Sequence, residues 1–215
     1  MNNPENYRRI IKGNHYYSQA CQDLFVLIMN EFKNDGYYLE IGAGDPIESS
    51  NTFLLENEFN WKGCSIEYNQ HLNERFNEIR RNKSIMADAT KINYAEILES
   101  SGFPRNIQYL SLDIDPAENT YKALLKIPFD KYKFNVITYE HDKYTSGIEY
   151  MKKSREYLKS KGYHLLSENV HVFGRDFEDW YLHPELINQR DDLLKHFQTK
   201  GEEFSEIITR YYEKV

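Results

Sequence analysis

Between residues 37 and 160 the chain alternates short apolar runs with amphipathic stretches, and this restricts the fold more than any other property of the sequence. Strand-like runs lie near 37–41, 62–67, 84–87, 107–112 and 133–140. Helical patterns separate them near 51–58, 69–80, 92–100 and 117–126, and a longer one covers about 144–160 before Lys161-Gly162 breaks it. Strands separated by helices pair in parallel through right-handed crossovers. Two further strand candidates, Tyr163–Asn169 and Phe177–Leu182, are joined by a turn around Gly174-Arg175-Asp176. That turn is too short for a parallel crossover, so it predicts an antiparallel hairpin. The expected architecture is α/β and Rossmann-like: a seven-stranded, mostly parallel sheet with one antiparallel strand and helices on both faces.

The flanks carry less information. Residues 1–17 read as an N-terminal arm, and 18–215 as one domain that includes a C-terminal helix. Ser18 is expected to cap a helix carrying Cys21, Leu24, Phe25, Ile28 and Phe32, which Asn34, Asp35 and Gly36 then stop. Phe204, Ile207, Ile208 and Tyr211 share one helical face near the end. Docking on its own domain is the simplest use of that face, with a homodimer contact or a lid as alternatives. A length of 215 residues suits one full core.

A formal net charge of -7 and a pI near 5.6 disfavour binding to phosphate backbones, so no nucleic-acid partner is expected. The longest apolar run, Leu24 to Met29, is too short to span a bilayer, and no signal-like segment opens the chain. Two widely separated cysteines, Cys21 and Cys64, fit a reducing cytoplasmic setting.

Open sheets of this kind bind ligands at the carboxyl ends of their strands. Glu40, Glu67, Asp88, Asp113 and Glu140 all fall at such ends. In Tyr37-Tyr38-Leu39-Glu40-Ile41-Gly42-Ala43-Gly44-Asp45-Pro46, a strand ends in an acidic residue and turns through two glycines, which let the backbone turn tightly and approach a ligand. A dinucleotide fingerprint needs a third small residue where Ile47 stands, so pyrophosphate and NAD are disfavoured. S-adenosylmethionine has no phosphate and fits better. Glu40, Gly42 and Gly44 would hold its amino-acid end, Glu67 the ribose hydroxyls and Asp88 the adenine amino group.

Five alternating units closed by a hairpin resemble the class I S-adenosylmethionine methyltransferases. Ser18-Gln19, Gln22-Asp23, Tyr38-Leu39-Glu40-Ile41-Gly42-Ala43-Gly44, Asn51-Thr52 and the Gly63–Glu67 strand are similar to the FkbM-type methyltransferases over about residues 18–182. That resemblance implies O-methylation, often of sugar hydroxyls in glycans or capsules. The family commonly has Asp-Xaa-Glu-Gly at the fourth strand end, whereas this chain has Asp113-Ile114-Asp115-Pro116. The segment through Glu118-Asn119-Thr120-Tyr121 resembles instead the macrocin-type sugar O-methyltransferases, whose closely spaced aspartates hold a divalent ion.

Transfer to a hydroxyl needs alignment and removal of a proton, by a base or by a metal. Asp113 and Asp115 follow the fourth strand, and Glu140-His141-Asp142 the fifth. His141 is expected either to act as base with Asp113 or to join Asp113 and Asp115 around Mg²⁺, Mn²⁺ or Fe²⁺. Solvated helix caps are the plain alternative for such carboxylates. His164, His171 and His183 read as structural or surface residues, with His171 a lesser candidate for the acceptor pocket. The acceptor is expected to be a sugar or nucleotide-linked sugar, with another small hydroxyl or amine, or a noncatalytic nucleotide-binding role, as alternatives. Its specificity would lie in 1–17 and 170–200, which carry no readable motif.

Overall fold

The computed structural model describes residues 8–187 and 191–214; the first seven residues of the expected arm and positions 188–190 lie outside it. The chain opens with a small hairpin, β1 (Arg9–Ile11) and β2 (Asn14–Tyr16), followed by α1 (Gln22–Met29). The alternating region follows as β3 (Tyr37–Ile41), α2 (Phe53–Phe59), β4 (Lys62–Glu67), α3 (Gln70–Ile79), β5 (Lys83–Met86), α4 (Tyr94–Ser100), β6 (Asn106–Leu112), α5 (Ala117–Leu124) and β7 (Lys133–Glu140). Then come α6 (Lys143–Ser146), α7 (Glu149–Ser160), β8 (His164–Val172) and β9 (Arg175–Leu182). The chain closes with α8 (Pro184–Ile187), α9 (Asp191–Phe197), β10 (Thr199–Lys200) and α10 (Phe204–Tyr212).

The main sheet runs β10-β8-β9-β7-β6-β3-β4-β5, and β9 alone is antiparallel to its neighbours. All seven expected strands are there. The eighth, β10, is a two-residue edge strand parallel to β8, too short to leave a periodic trace in sequence. The sheet order reverses between β3 and β6, which pair in parallel, so the cleft of an open α/β sheet falls above them.

Side chains alternate across each strand, and the two faces are built differently. Leu39, Ile41, Leu110, Leu112, Ile137 and Tyr139 enter one apolar core with Leu98, Leu124 and Leu158. Tyr38, Tyr109 and Val136 face the other core with Phe25, Leu54 and Trp180. Toward the strand ends, that second face turns polar: Glu40, Ser65 and Ser111 stand side by side in register.

Two helices differ from expectation. Helix α1 starts at Gln22 rather than after Ser18, because the Ser18 hydroxyl donates to Asp23 Oδ1 at 2.6 Å and is folded into a turn. The helical pattern 144–160 splits at Gly147, whose φ is +75°. The described part of the arm is tied to the domain. Tyr17 is buried in the core, and Lys12 pairs with Glu213 at 3.2 Å beyond α10. Helix α10 docks on its own domain through fully buried Ile207 and Ile208. Among the described residues, no helix is long and apolar enough to cross a membrane.

Candidate functional site

The strand ends border a cleft of about 620 Å³. Its lining includes all five residues expected to hold a cofactor, Glu40, Gly42, Gly44, Glu67 and Asp88, together with Asp113 and Asp115. Its two glycines act differently. A Cβ on Gly42 (φ +89°) would stand 1.7 Å from the Asp113 carbonyl oxygen, so this residue permits the ends of β3 and β6 to touch. A Cβ on Gly44 (φ +58°) would meet nothing within 4 Å, and this glycine leaves open space over the cleft.

Glu67 organises the turn between them. Its carboxylate accepts the Gly44 amide at 2.9 Å and the Asn69 amide at 2.7 Å, joining the glycine turn to the start of α3. A carboxylate offers about four acceptor positions, so further hydroxyl donors can still be received. Asp88 accepts the Thr90 amide and hydroxyl at 2.9 and 2.6 Å and pairs with Lys91. The Thr90 hydroxyl, then Lys91, lower its pKa to about 2, so it is ionised at neutral pH. Tyr68, next to Glu67 and largely exposed, lends a flat face to the same end.

At the other end Glu40 is buried and accepts from Ser65 Oγ at 2.6 Å and Thr52 Oγ1 at 3.0 Å. Burial pushes its pKa up to about 7, against the opposing field of Arg80. Arg80, at the end of α3, holds the segment between Gly44 and α2 from behind. It donates to Glu56 Oε2 (2.8 Å), the Pro46 carbonyl (3.0 Å), Ser50 Oγ (3.2 Å), Thr52 Oγ1 (3.0 Å) and the Tyr38 hydroxyl (3.1 Å). Ile47 is buried in the core, and α2 begins only at Phe53. No helix N-terminus follows the glycine turn directly, as a dinucleotide pyrophosphate requires.

Four carboxyl groups neighbour one another beside the cleft in a series: Asp113 and Glu140, Glu140 and Asp142, and Asp142 and Asp115. Burial raises the pKa of Asp113, Asp115 and Glu140; neighbouring carboxyls add to the shift of Asp115 and Glu140, whereas at Asp113 the contact with Glu140 opposes it and the charge of Asp142 adds to it. Carboxyls in such a series share protons, because adjacent groups cannot all ionise.

His141 does not join them. Asp142 takes a left-handed conformation (φ +47°), and the His141 ring is buried away from the cleft lining. Its Nδ1 accepts the Lys143 amide at 3.2 Å, which puts the ring proton on Nε2, 3.6 Å from Asp179 Oδ1. Arg155 grips Asp179 through Nε and Nη2 at 2.7 and 2.8 Å. Burial works to raise the Asp179 pKa, but the contacts with His141 and Arg155 outweigh it and bring it to about 2. The expected set of Asp113, Asp115 and His141 is thus not brought together. Among the described residues no group of three His, Cys, Asp or Glu side chains is arranged to hold an ion. His171 pairs with Asp176 at 2.7 Å near the tip of the β8–β9 hairpin and does not line the cleft.

No protein-family model matches the chain, and no curated protein matches it. Solved structures do. A Clostridium thermocellum protein designated an rRNA-methylase aligns with TM-score 0.51 at 12% identity, over 78% of this chain and 96% of that one. A Klebsiella pneumoniae protein designated an O-methyltransferase aligns with TM-score 0.51 at 14% identity, over 75% and 79%. The S. pombe Dnmt2 methyltransferase also gives 0.51, at 14% identity, over 69% of this chain and 49% of that one. The fold is that of the class I methyltransferases. Likeness at this level of identity establishes architecture, and chemistry has to be argued from the cleft.

Two residues lining that cleft were not expected there. Tyr68 had a readable signal, being the residue directly after an acidic strand end. Asn51 had only its place beside Thr52.

Proposed function

We propose that this chain is an S-adenosylmethionine-dependent O-methyltransferase of FkbM-like type, acting on a hydroxyl of a sugar, either free, nucleotide-linked or within a glycan. The observation that carries the reading is the Glu67 carboxylate, bonded at once to the Gly44 and Asn69 amides in a cleft with Asp88 at one end and Asp113 at the other. That layout suits a nucleoside with its ribose at Glu67, its base near Tyr68 and Asp88, and its reactive end toward Asp113. S-adenosylmethionine supplies a methyl group on a positively charged sulfur, open to in-line attack by an acceptor oxygen.

The residues then have separate tasks. Gly42, Gly44 and Glu67 orient the nucleoside so that an acceptor can stand about 3 Å from the methyl carbon. Asp113, which lines the cleft, takes the acceptor proton, and burial raises its pKa above the ordinary carboxylate value, which makes it a stronger base. The divalent ion that the macrocin-type segment implies does not fit this arrangement. His141 is turned to Asp179, and among the described residues no three His, Cys, Asp or Glu side chains are arranged to hold an ion. No step therefore runs through a metal.

A small amine acceptor is the second reading, favoured by the same four carboxyls, which can receive an ammonium. Their charge also argues against acceptors that present phosphate to this end of the cleft, nucleic acid included. Two free, buried cysteines fit a reducing compartment, and the proposal places the protein in the cytoplasm.

Thermal shift assays with S-adenosylhomocysteine, S-adenosylmethionine and NAD test the cofactor. Stabilisation by the first two alone is expected, and stabilisation by NAD alone overturns the proposal. Release of S-adenosylhomocysteine over panels of sugars, nucleotide sugars and amines then selects the acceptor class. Binding without release over every panel would leave a noncatalytic partner.

A further inference from the structure

Asn51 stands just before α2, over the junction of β3 and β6, and lines the cleft. Its Nδ2 donates to Ser111 Oγ at 3.0 Å, toward the sheet. The other end, Oδ1, is buried and has no partner. Among the described residues it is the one such buried, unpartnered polar atom on a side chain lining the cleft. A buried acceptor without a donor costs free energy, and folded proteins rarely keep one without a use.

The neighbouring carboxylate, Glu40, receives the Ser65 and Thr52 hydroxyls, one on each oxygen, and lines the cleft beside Asn51. Asp113 borders the same end of the cleft, so the local charge favours a cation. A ligand group that gives up hydrogens and carries positive charge satisfies both conditions.

We infer that Asn51 Oδ1 accepts a hydrogen bond from the α-ammonium of the cofactor's amino-acid arm, making Asn51 the residue that distinguishes an intact amino-acid arm from a bare adenosine. This rests on the cofactor reading above. Three ligands separate the two ideas. S-adenosylhomocysteine carries the full arm, its desamino analogue lacks only the ammonium, and 5′-methylthioadenosine lacks the whole amino-acid group.

Calorimetric titration of Asn51→Ala is expected to show an affinity for S-adenosylhomocysteine about ten- to hundredfold weaker than that of the unaltered protein. Affinities for the desamino analogue and for 5′-methylthioadenosine are expected to be unchanged. Asn51→Asp, which keeps an acceptor oxygen at this place, is expected to bind S-adenosylhomocysteine at least as well as the unaltered chain, and it carries the test if the Ala variant does not fold. An equal loss for all three ligands, no loss for any, or loss of S-adenosylhomocysteine binding in Asn51→Asp overturns the assignment. If the unaltered protein binds none of the three, the cofactor reading itself has failed.

Discussion

Gly42 and Gly44 lie two positions apart and answer to opposite constraints. Gly42 is excluded from bearing a side chain by the Asp113 carbonyl, whereas Gly44 faces open space at a backbone angle that other residues adopt at moderate cost. Gly42→Ala is therefore expected to lower the unfolding free energy by about 3 kcal/mol or more, and Gly44→Ala by about 1–2 kcal/mol. Urea midpoints rank the two, and the reverse order would remove the packing argument. His141 belongs at this scale too. With its ring turned to Asp179, His141→Gln should lower the melting temperature yet hold S-adenosylhomocysteine release within about threefold, because general-base losses run to about 10²-fold or more. Release should also survive EDTA. A collapse of turnover with an unchanged melting temperature would return the ring to the chemistry. The sequence put His141 at the right strand end but could not orient it, since the Asp142 turn and the Asp179 partner on β9 both arise from tertiary structure.

Among elements, the segment from Pro46 to Thr52 matters most, because it connects the glycine turn to α2 without regular structure of its own. Arg80 holds it, and Glu56 neutralises Arg80 inside the protein. Arg80→Met removes the buried cation that faces the Glu56 carboxylate and the donor to the Pro46 carbonyl. The expected loss is about 3–5 kcal/mol, measured by denaturant titration. A loss below about 1 kcal/mol would mean that the segment holds itself. The long strands were legible since each is a bounded apolar run: β3, β4 and β7 match their expected spans residue for residue. What was not legible was short or borrowed. The three-residue strands β1 and β2 and the two-residue β10 carry no period, and α1 begins late because Ser18 is engaged by Asp23. The carboxylates at the strand ends were readable from position alone. Their closeness to one another depends on β6 and β7 lying side by side, which no local pattern states.

For the molecule as a whole, buried carboxyls set the response to pH. Burial pushes Glu40 up to about 7 and Glu178 up to about 8, from an ordinary value of 4.5. The folded chain then retains protons that the unfolded chain releases, so this part of the stability is complete below about pH 4.5 and declines as pH rises through 7 to 8. Asp179, held at about 2, acts oppositely and withdraws its contribution only as pH falls below about 4. The melting temperature of the ligand-free protein is expected to be higher at pH 5.5 than at pH 8.5 by about 4 °C or more. A flat or inverted profile would show these groups to be better solvated than their burial implies.

Arg80 has one further consequence. A cleft wall fastened from its rear has little freedom left to surrender when a visitor arrives. Admission and departure at the nucleoside end should then be quick and simple, leaving the pace of a working cycle to events near Asp113.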